Sequence, residues 1–240
     1  MNPAFAYVYD ETLADKRWER ELQQIENELA RRGIEGTTAR ASALCEAKQL
    51  VKGFVGQGVK NLVLVGSDRL LQTIIPLLPE TEATIGFLPL GPSLIGSLLG
   101  IPSGPKAVDV IAARLVESLD LAQVNGRPFL LEVTAPNTIA GIDVGGDYRL
   151  RPSVRGAIAI RNLAGGGASG VAANPMDGEL EIVLQAESRE GKSWVWKKKV
   201  LTETKVFLKA GTMHAEQPFQ VFIDGEAFMG TTFAFFDVAE

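Results

Sequence analysis

Apolar residues recur at three- and four-residue spacing through Trp18, Leu22, Ile25 and Leu29, which predicts a helix over Asp15 to Arg32 stopped by Gly33. The same period through Leu44, Ala47, Leu50, Val51 and Phe54 predicts a second helix over Ser42 to Val55, ended by Gly56 and Gly58. A third amphipathic stretch runs from Ala107 to Leu119 through Val108, Ile111, Ala112 and Leu115. Between these helices lie short apolar runs bounded by turn residues, which read as buried strands: Ala4 to Tyr9, a brief one near Ile34 to Ala39, Asn61 to Val65 and Thr84 to Leu88. A further helix, Leu70 to Leu78, joins the last two. Strands alternating with helices of this length imply βαβ units and a mostly parallel sheet.

After about Asp120 the helical period disappears, and strand-like runs separated by turns take over. The expected strands are Pro128 to Thr134, Thr138 to Val144, Ser153 to Arg161, Glu179 to Glu187, Ser193 to Leu208, Gln220 to Ile223 and Thr231 to Val238. Asn125-Gly126, Gly145-Gly146-Asp147, Asp177-Gly178, Glu190-Gly191-Lys192 and Asp224-Gly225 mark the turns. This half reads as a β-sandwich-like domain. The boundary falls near residue 121, giving domains 1–121 and 122–240, with no linker, repeat or low-complexity tail between them.

Composition narrows the class. Hydrophobic content of 46% with 22% charged residues is that of a folded globular chain. A net charge of −5 gives no general attraction to nucleic acid, so no nucleic-acid partner is expected. With one cysteine and one histidine there is no disulfide framework, no Cys-rich zinc site and no expected metal site built on several imidazoles. Cys45 reads as a small residue inside a helical pattern, and His214 as a solvated residue of a Gly-Thr-Met-His-Ala-Glu loop. The first residues lack a basic start followed by an apolar run, so a cytoplasmic setting is the default. The run from Ala83 to Pro105 carries no charge. Pro89, Pro92 and Pro102 break it, so it reads as strand, turn, short helix and turn of a buried core rather than as a membrane span.

The chemistry concentrates between Lys60 and Gly104. Two strand-to-loop junctions, Gly66-Ser67-Asp68 and Pro89-Leu90-Gly91-Pro92, lie close in sequence, as in an open α/β sheet that builds a ligand crevice at its carboxyl edge. Gly66-Ser67-Asp68-Arg69-Leu70, a helix, then Gly86-Phe87-Leu88-Pro89-Leu90-Gly91 and Leu99-Gly100-Ile101-Pro102 resemble the catalytic domain of the diacylglycerol and sphingosine kinase family. That family has Gly-Gly-Asp-Gly-Thr in the first position and Pro-Leu-Gly-Thr-Gly-Asn-Asp in the second. Gly66, Asp68, Pro89, Leu90 and Gly91 match, and Ser67 has precedent in the sphingosine kinase branch.

The second half extends the resemblance in the same order. Ser118 to Gly126 is similar to the family's domain junction, Asn162-Leu163-Ala164-Gly165-Gly166-Gly167 followed by Ala173 to Ile182 to its Gly-Gly-Gly and Asp-Gly stretch, and Phe222-Ile223-Asp224-Gly225-Glu226 to its Asp-Gly-Glu signature. The resemblance implies a Rossmann-like α/β domain followed by a β-sandwich-like domain, the NAD kinase/diacylglycerol kinase-like fold. It also implies ATP and Mg2+ as cofactors if the chain is active. A lipid or nucleotide-like small molecule would be the ligand.

The departures fall on the phosphate-handling residues. Arg69 replaces a glycine of the first motif, Pro92-Ser93-Leu94-Ile95 replaces Thr-Gly-Asn-Asp, and Tyr7-Val8-Tyr9 runs into Asp10-Glu11-Thr12 where the family has Asn-Pro-x-Ser-Gly. Branched apolar side chains offer nothing to a triphosphate, and Asp10 adds negative charge where phosphates would lie. The resemblance thus implies a lipid-kinase-like protein with a degenerate ATP site, a pseudokinase that binds a ligand. The alternatives are an active lipid kinase using Asp68, Arg69 and Glu226, and more distantly an NAD kinase relative.

The expected binding residues are Gly66, Ser67, Asp68, Arg69 and Gly91, with Glu226 and Asp68 as the candidate catalytic groups. Asp68 reads either as the N-cap of its helix or as a ligand contact. Arg69 reads as a phosphate grip or a solvated helix residue, and Glu226 as a general base or a hairpin-turn carboxylate. Gly165 to Gly167 suit a loop that needs glycine. Trp194, Val195, Trp196 and Lys197 to Lys199 suit an edge strand with a basic end that could touch a membrane surface peripherally. Self-association into a homodimer is left open.

Overall fold

A computed structural model describes residues 5–42, 45–144, 148–152, 154–165, 173–190 and 198–238. The chain divides into two compact units, Met1–Glu117 and Ser118–Glu240.

The first unit is built on four strands, β1 (Ala6–Tyr9), β2 (Thr37–Arg40), β3 (Asn61–Gly66) and β4 (Thr84–Pro89), all parallel in the order β2-β1-β3-β4. From Leu62 to Gly66 β3 is continuously buried, as its unbroken apolar run requires for a strand covered on both faces. The helices are α1 (Glu19–Arg31), α2 (Ala47–Gly56), α3 (Asp68–Ile74), α4 (Leu94–Leu98) and α5 (Ala107–Ala113). In α1 the apolar stripe Leu22, Ile25 and Leu29 is buried against Tyr7, Val63 and Leu88 in one core, each such side chain contributing about 1.5–3 kcal/mol of burial. The uncharged run resolves into β4, a Gly/Pro turn and α4, and no helix among the described residues is long and apolar enough to cross a membrane.

Several helix limits differ from the sequence expectation, for local reasons. Before α1 the chain makes two 3-10 turns, Glu11–Ala14 and Lys16–Trp18, because Asp10 and Asp15 each accept from the amide two residues on and restart the backbone. Ser42 and Cys45 exchange backbone hydrogen bonds of 2.9 and 3.2 Å, so α2 begins only at Ala47 and Cys45 lies outside it. Arg114 adopts a left-handed conformation (φ 52°) that ends α5 five residues before Leu119 and leaves Leu115 80% exposed.

The second unit is antiparallel throughout. Its strands are β5 (Leu121–Val124), β6 (Arg127–Phe129), β7 (Glu132–Thr138), β8 (Gly141–Val144), β9 (Tyr148–Leu150), β10 (Gly156–Arg161), β11 (Leu180–Glu190), β12 (Lys198–Leu208), β13 (Ala210–Ile223) and β14 (Glu226–Val238). They form one hydrogen-bonded path, β12-β11-β10-β7-β13-β14-β5-β6, with β8 added on β13 and β9 on β8. Inward-facing Phe129, Ile142, Ile160, Ile182, Val221 and Phe235, from six of the ten strands, meet in a single core.

Asn125-Gly126 and Asp224-Gly225 have positive φ at both positions, as two-residue hairpin turns require. His214 is in β13 rather than in a loop, opposite Gly141, with its Nδ1 3.3 Å from Asp143. On the face opposite that core Glu181, 1% exposed, is held by Lys205 at 2.5 Å and Arg161 at 3.5 Å, and Arg161 reaches Glu132 at 3.1 Å. The expected contributions of Gly166 and Gly167 and of Trp194 to Lys197 lie outside the described residues; Lys198 and Lys199 belong to β12.

Candidate functional site

Parallel sheets bind ligands outside the carboxyl ends of their strands, at the point where the strand order reverses. In the first unit that point is between β1 and β3, because the chain moves outward from β1 to β2 and then returns to the other side of β1. The loops that diverge there begin at Asp10 and at Gly66.

They are stitched together. Asp10 donates its backbone N–H to Val65 O at 2.9 Å, continuing the ladder, and its carboxylate accepts the backbone N–H of Ser67 at 3.2 Å together with the Ser67 hydroxyl. The other carboxylate oxygen accepts Thr12 N–H at 3.0 Å. Gly66 is needed for this approach, since a Cβ there would lie 2.4 Å from Asp10 Cβ. Asp10 is buried, and burial alone would raise its pKa; hydrogen bonds from Ser67 and Thr12 outweigh it and hold the carboxyl below the ordinary value, so it is ionised at neutral pH.

The second junction is closed in the same manner. Asp68 is the first residue of α3, and its carboxylate does not cap that helix. It crosses to α4, accepting Leu94 N–H at 2.7 Å, Ile95 N–H at 3.3 Å and the Ser93 hydroxyl. Ser93 Oγ in turn accepts Gly96 N–H at 2.7 Å. The first three amides of α4, which a helix start could direct at an anion, are thus all engaged by side chains of this chain.

Gly91 has φ +69° and lies under the indole of Trp18, where a Cβ would sit 2.5 Å from Cη2. Arg69 is exposed on the first turn of α3 and forms no ion pair among the described residues, and Leu94, the first residue of α4, is 60% exposed. The structure therefore brings Gly66, Ser67, Asp68 and Gly91 to one edge of the first unit. Asp68 is the cap of α4 rather than of its own helix. Sequence reasoning placed Asp10 near this corner, but missed that it binds Ser67; the roles of Ser93 and Trp18 were also missed. Ser93 preceding a short helix is a capping signal that could have been read.

Glu226 belongs to the second unit, where it opens β14. Its side chain is 62% exposed and pairs with Arg127, whose guanidinium lies 4.7 Å over the Phe228 ring. The preceding Asp224 carboxylate accepts the backbone N–H groups of Leu130, Leu131 and Glu132 at 2.9, 2.9 and 3.0 Å. Burial raises the Asp224 pKa, and these three hydrogen bonds offset that only in part. No cluster of three or more metal-ligating His, Cys, Asp or Glu side chains occurs among the described residues.

No family model matches the chain. Among solved structures it is similar to a diacylglycerol kinase from Bacillus anthracis str. Sterne, with TM-score 0.75 and 17% identity over 98% of this chain and 95% of that one. A second structure from the same organism, described as a candidate diacylglycerol kinase, gives TM-score 0.76 and 16% identity over 99% of this chain and 95% of the other. The fold of this chain, a parallel four-stranded α/β unit followed by a ten-stranded antiparallel unit, thus superposes on these proteins across nearly their full length. The chain has the diacylglycerol kinase-like fold.

Proposed function

We propose that this chain is a lipid-kinase-like binding protein whose nucleotide corner is occupied by its own carboxylates, and that it does not carry out efficient phosphotransfer. The observation behind this reading is the double closure of the crevice: Asp10 holds Ser67, and Asp68 holds Ser93 and the α4 amides. A phosphate entering there would have to displace a carboxylate from each set of donors and would meet their negative charge at close range, in a partly desolvated setting where like charges repel more strongly than in water. The retained Asp-Gly-Glu turn adds no active base in this reading, because Glu226 is engaged by Arg127. The ligand is a lipid or a nucleotide-like molecule lacking a tightly held triphosphate.

Titration calorimetry with magnesium-ATP, followed by a radiolabelled phosphate-transfer assay on diacylglycerol and sphingoid lipids, tests it. The expected result is no saturable heat and no labelled lipid. Turnover that disappears in Glu226→Gln overturns the proposal and establishes an active kinase that uses ATP and Mg2+.

A further inference from the structure

Strand β12 ends the sheet of the second unit and pairs with β11 alone among the described residues, so one edge of this 11-residue strand has no ladder partner. Such an edge offers its N–H and C=O groups to another strand unless a proline, a bulge or a charge blunts it. β12 contains no proline, and its register with β11 runs without a shift from Glu190↔Lys198 to Leu180↔Leu208. Glu203, Thr204 and Phe207 are exposed on it, Phe207 to 47%. Val206 packs against the core while Lys205 meets Glu181 on the opposite face, so Glu203, Lys205 and Phe207 share that opposite face.

A second copy of the same strand fits this edge in one register. When a twofold axis normal to the sheet relates two antiparallel strands, residues equidistant from the axis lie opposite each other on one face. An axis through Thr202 sets Lys199 opposite Lys205, and an axis through Glu203 or Lys205 sets that residue opposite its own copy; like charges so placed are destabilising. An axis through Leu201 pairs only Lys198 to Thr204 and leaves Phe207 uncovered. An axis through Thr204 pairs Val200 with Leu208, Leu201 with Phe207, Thr202 with Val206 and Glu203 with Lys205. Every pair is then apolar, neutral or oppositely charged. The next pair out, Lys199 with Lys209, falls past the end of β12, where solvent and salt screen it.

We propose that β12 joins a second copy of this chain as an antiparallel strand with the twofold axis at Thr204, forming a homodimer whose sheet is continuous from one subunit to the other. The strands pair from Val200 to Leu208 and exchange on the order of eight to ten backbone hydrogen bonds. Phe207 gains Leu201 of the partner subunit as its cross-strand neighbour, and Glu203 gains Lys205 of the partner subunit. The same sequence on both sides supplies each match twice, which selects a second copy over an unrelated strand. The pairing lies within the second unit and rests on nothing at the nucleotide corner.

The test is sedimentation equilibrium of the full chain at rising concentration, together with cysteine cross-linking. A monomer–dimer equilibrium is expected, weakened about tenfold in Glu203→Lys, which sets a like charge against Lys205 at two symmetric places. Glu203 and Thr204 are exposed, so their variants keep the fold, which circular dichroism verifies. In a Cys45→Ser background, which removes the chain's one cysteine, Thr204→Cys should close an interchain disulfide under mild oxidation, because directly opposite Cα atoms stand about 4.5–5.5 Å apart. Glu203→Cys in that background should not, because its own copy is a diagonal neighbour about 7–8 Å away. A monomer at every concentration overturns the proposal. A dimer unchanged in Glu203→Lys, or one that cross-links equally at both positions, also overturns it and puts the interface elsewhere. ATP binding or lipid phosphorylation leaves the pairing standing and overturns only the reading of the nucleotide corner.

Discussion

The carboxylate of Asp68 accepts the backbone N–H of Leu94 at 2.7 Å, so a residue of one helix caps the next helix 26 positions away. Removing it leaves Leu94 and Ile95 without their acceptor. Asp68→Ala should therefore cost about 1 kcal/mol, within the 0.5–2 kcal/mol range of cap losses, and Asp68→Asn should cost less because an amide oxygen still accepts. Urea unfolding of the two variants against the wild type measures this. Equal stability of wild type and Asp68→Ala would show that the cap is incidental.

Gly91→Ala sets two penalties on one position, a left-handed backbone and a methyl 2.5 Å from Trp18 Cη2. The expected loss is about 1–3 kcal/mol. Adding Trp18→Ala removes the clash and not the backbone strain, so the double variant should recover only part of the loss caused by Gly91→Ala in a Trp18→Ala background. Thermal unfolding of the four-protein cycle decides it.

The second unit carries a buried charge, Glu181, whose cost depends on its partners. Lys205→Met leaves Glu181 with Arg161 alone at 3.5 Å, and should destabilise by about 3–5 kcal/mol. Replacing Glu181 and Lys205 together by leucine should cost far less, because no uncompensated charge remains. If the single and the double replacement are equally damaging, packing rather than charge governs the site.

Two carboxylates make opposite contributions in acid. Asp10 is held below its ordinary value of 3.8, so its contribution to stability is present above that value and is lost as pH falls through the lower folded-state value. Asp224 is raised above 3.8, so the contribution from its protonated form is present below 3.8 and is lost as pH rises through the folded-state value. Asp10→Asn should flatten the acid limb of the stability profile, and Asp224→Asn the limb above it. Melting temperatures measured across the acid range separate the two signs.

In alkali the tyrosines of β1 report on the first core. Burial pushes both Tyr7 and Tyr9 up to about 12 from 10.0, with the nearby Glu26 carboxylate adding to the shift of Tyr9. Their contribution to stability is complete below 10.0 and is lost as pH rises through about 12. Absorbance of the tyrosinate band should show these two of the chain's three tyrosines resisting ionisation until the fold gives way. Ionisation of all three together near 10.0, with the fold intact, would contradict the buried placement.

The first sheet was legible because its strands are short apolar runs between helices of clear period. Val63 and Leu64 could lie nowhere but inside. Helix ends were less legible, since Arg114 closes α5 by one left-handed residue that no apolar period encodes. His214 was misplaced because Gly211, Thr212 and His214 look like loop chemistry, while the inward Met213 and the pairing with β8 and β14 decide the strand. β5 is only four residues long and alternates too briefly to stand out. At the candidate site the motif glycines and Asp68 could be named from sequence, but the partners Asp10 with Ser67 and Asp68 with Ser93 lie 57 and 25 positions apart and depend on the sheet to meet.

Asp224 joins two hairpins by accepting three successive amides of the Leu130 to Glu132 segment, and Gly225 completes the bend between β13 and β14. Two letters of the Asp-Gly-Glu signature are therefore mechanical parts of the second unit. Mutational drift that abolished every catalytic duty would still be penalised at those positions, so the signature certifies a joint.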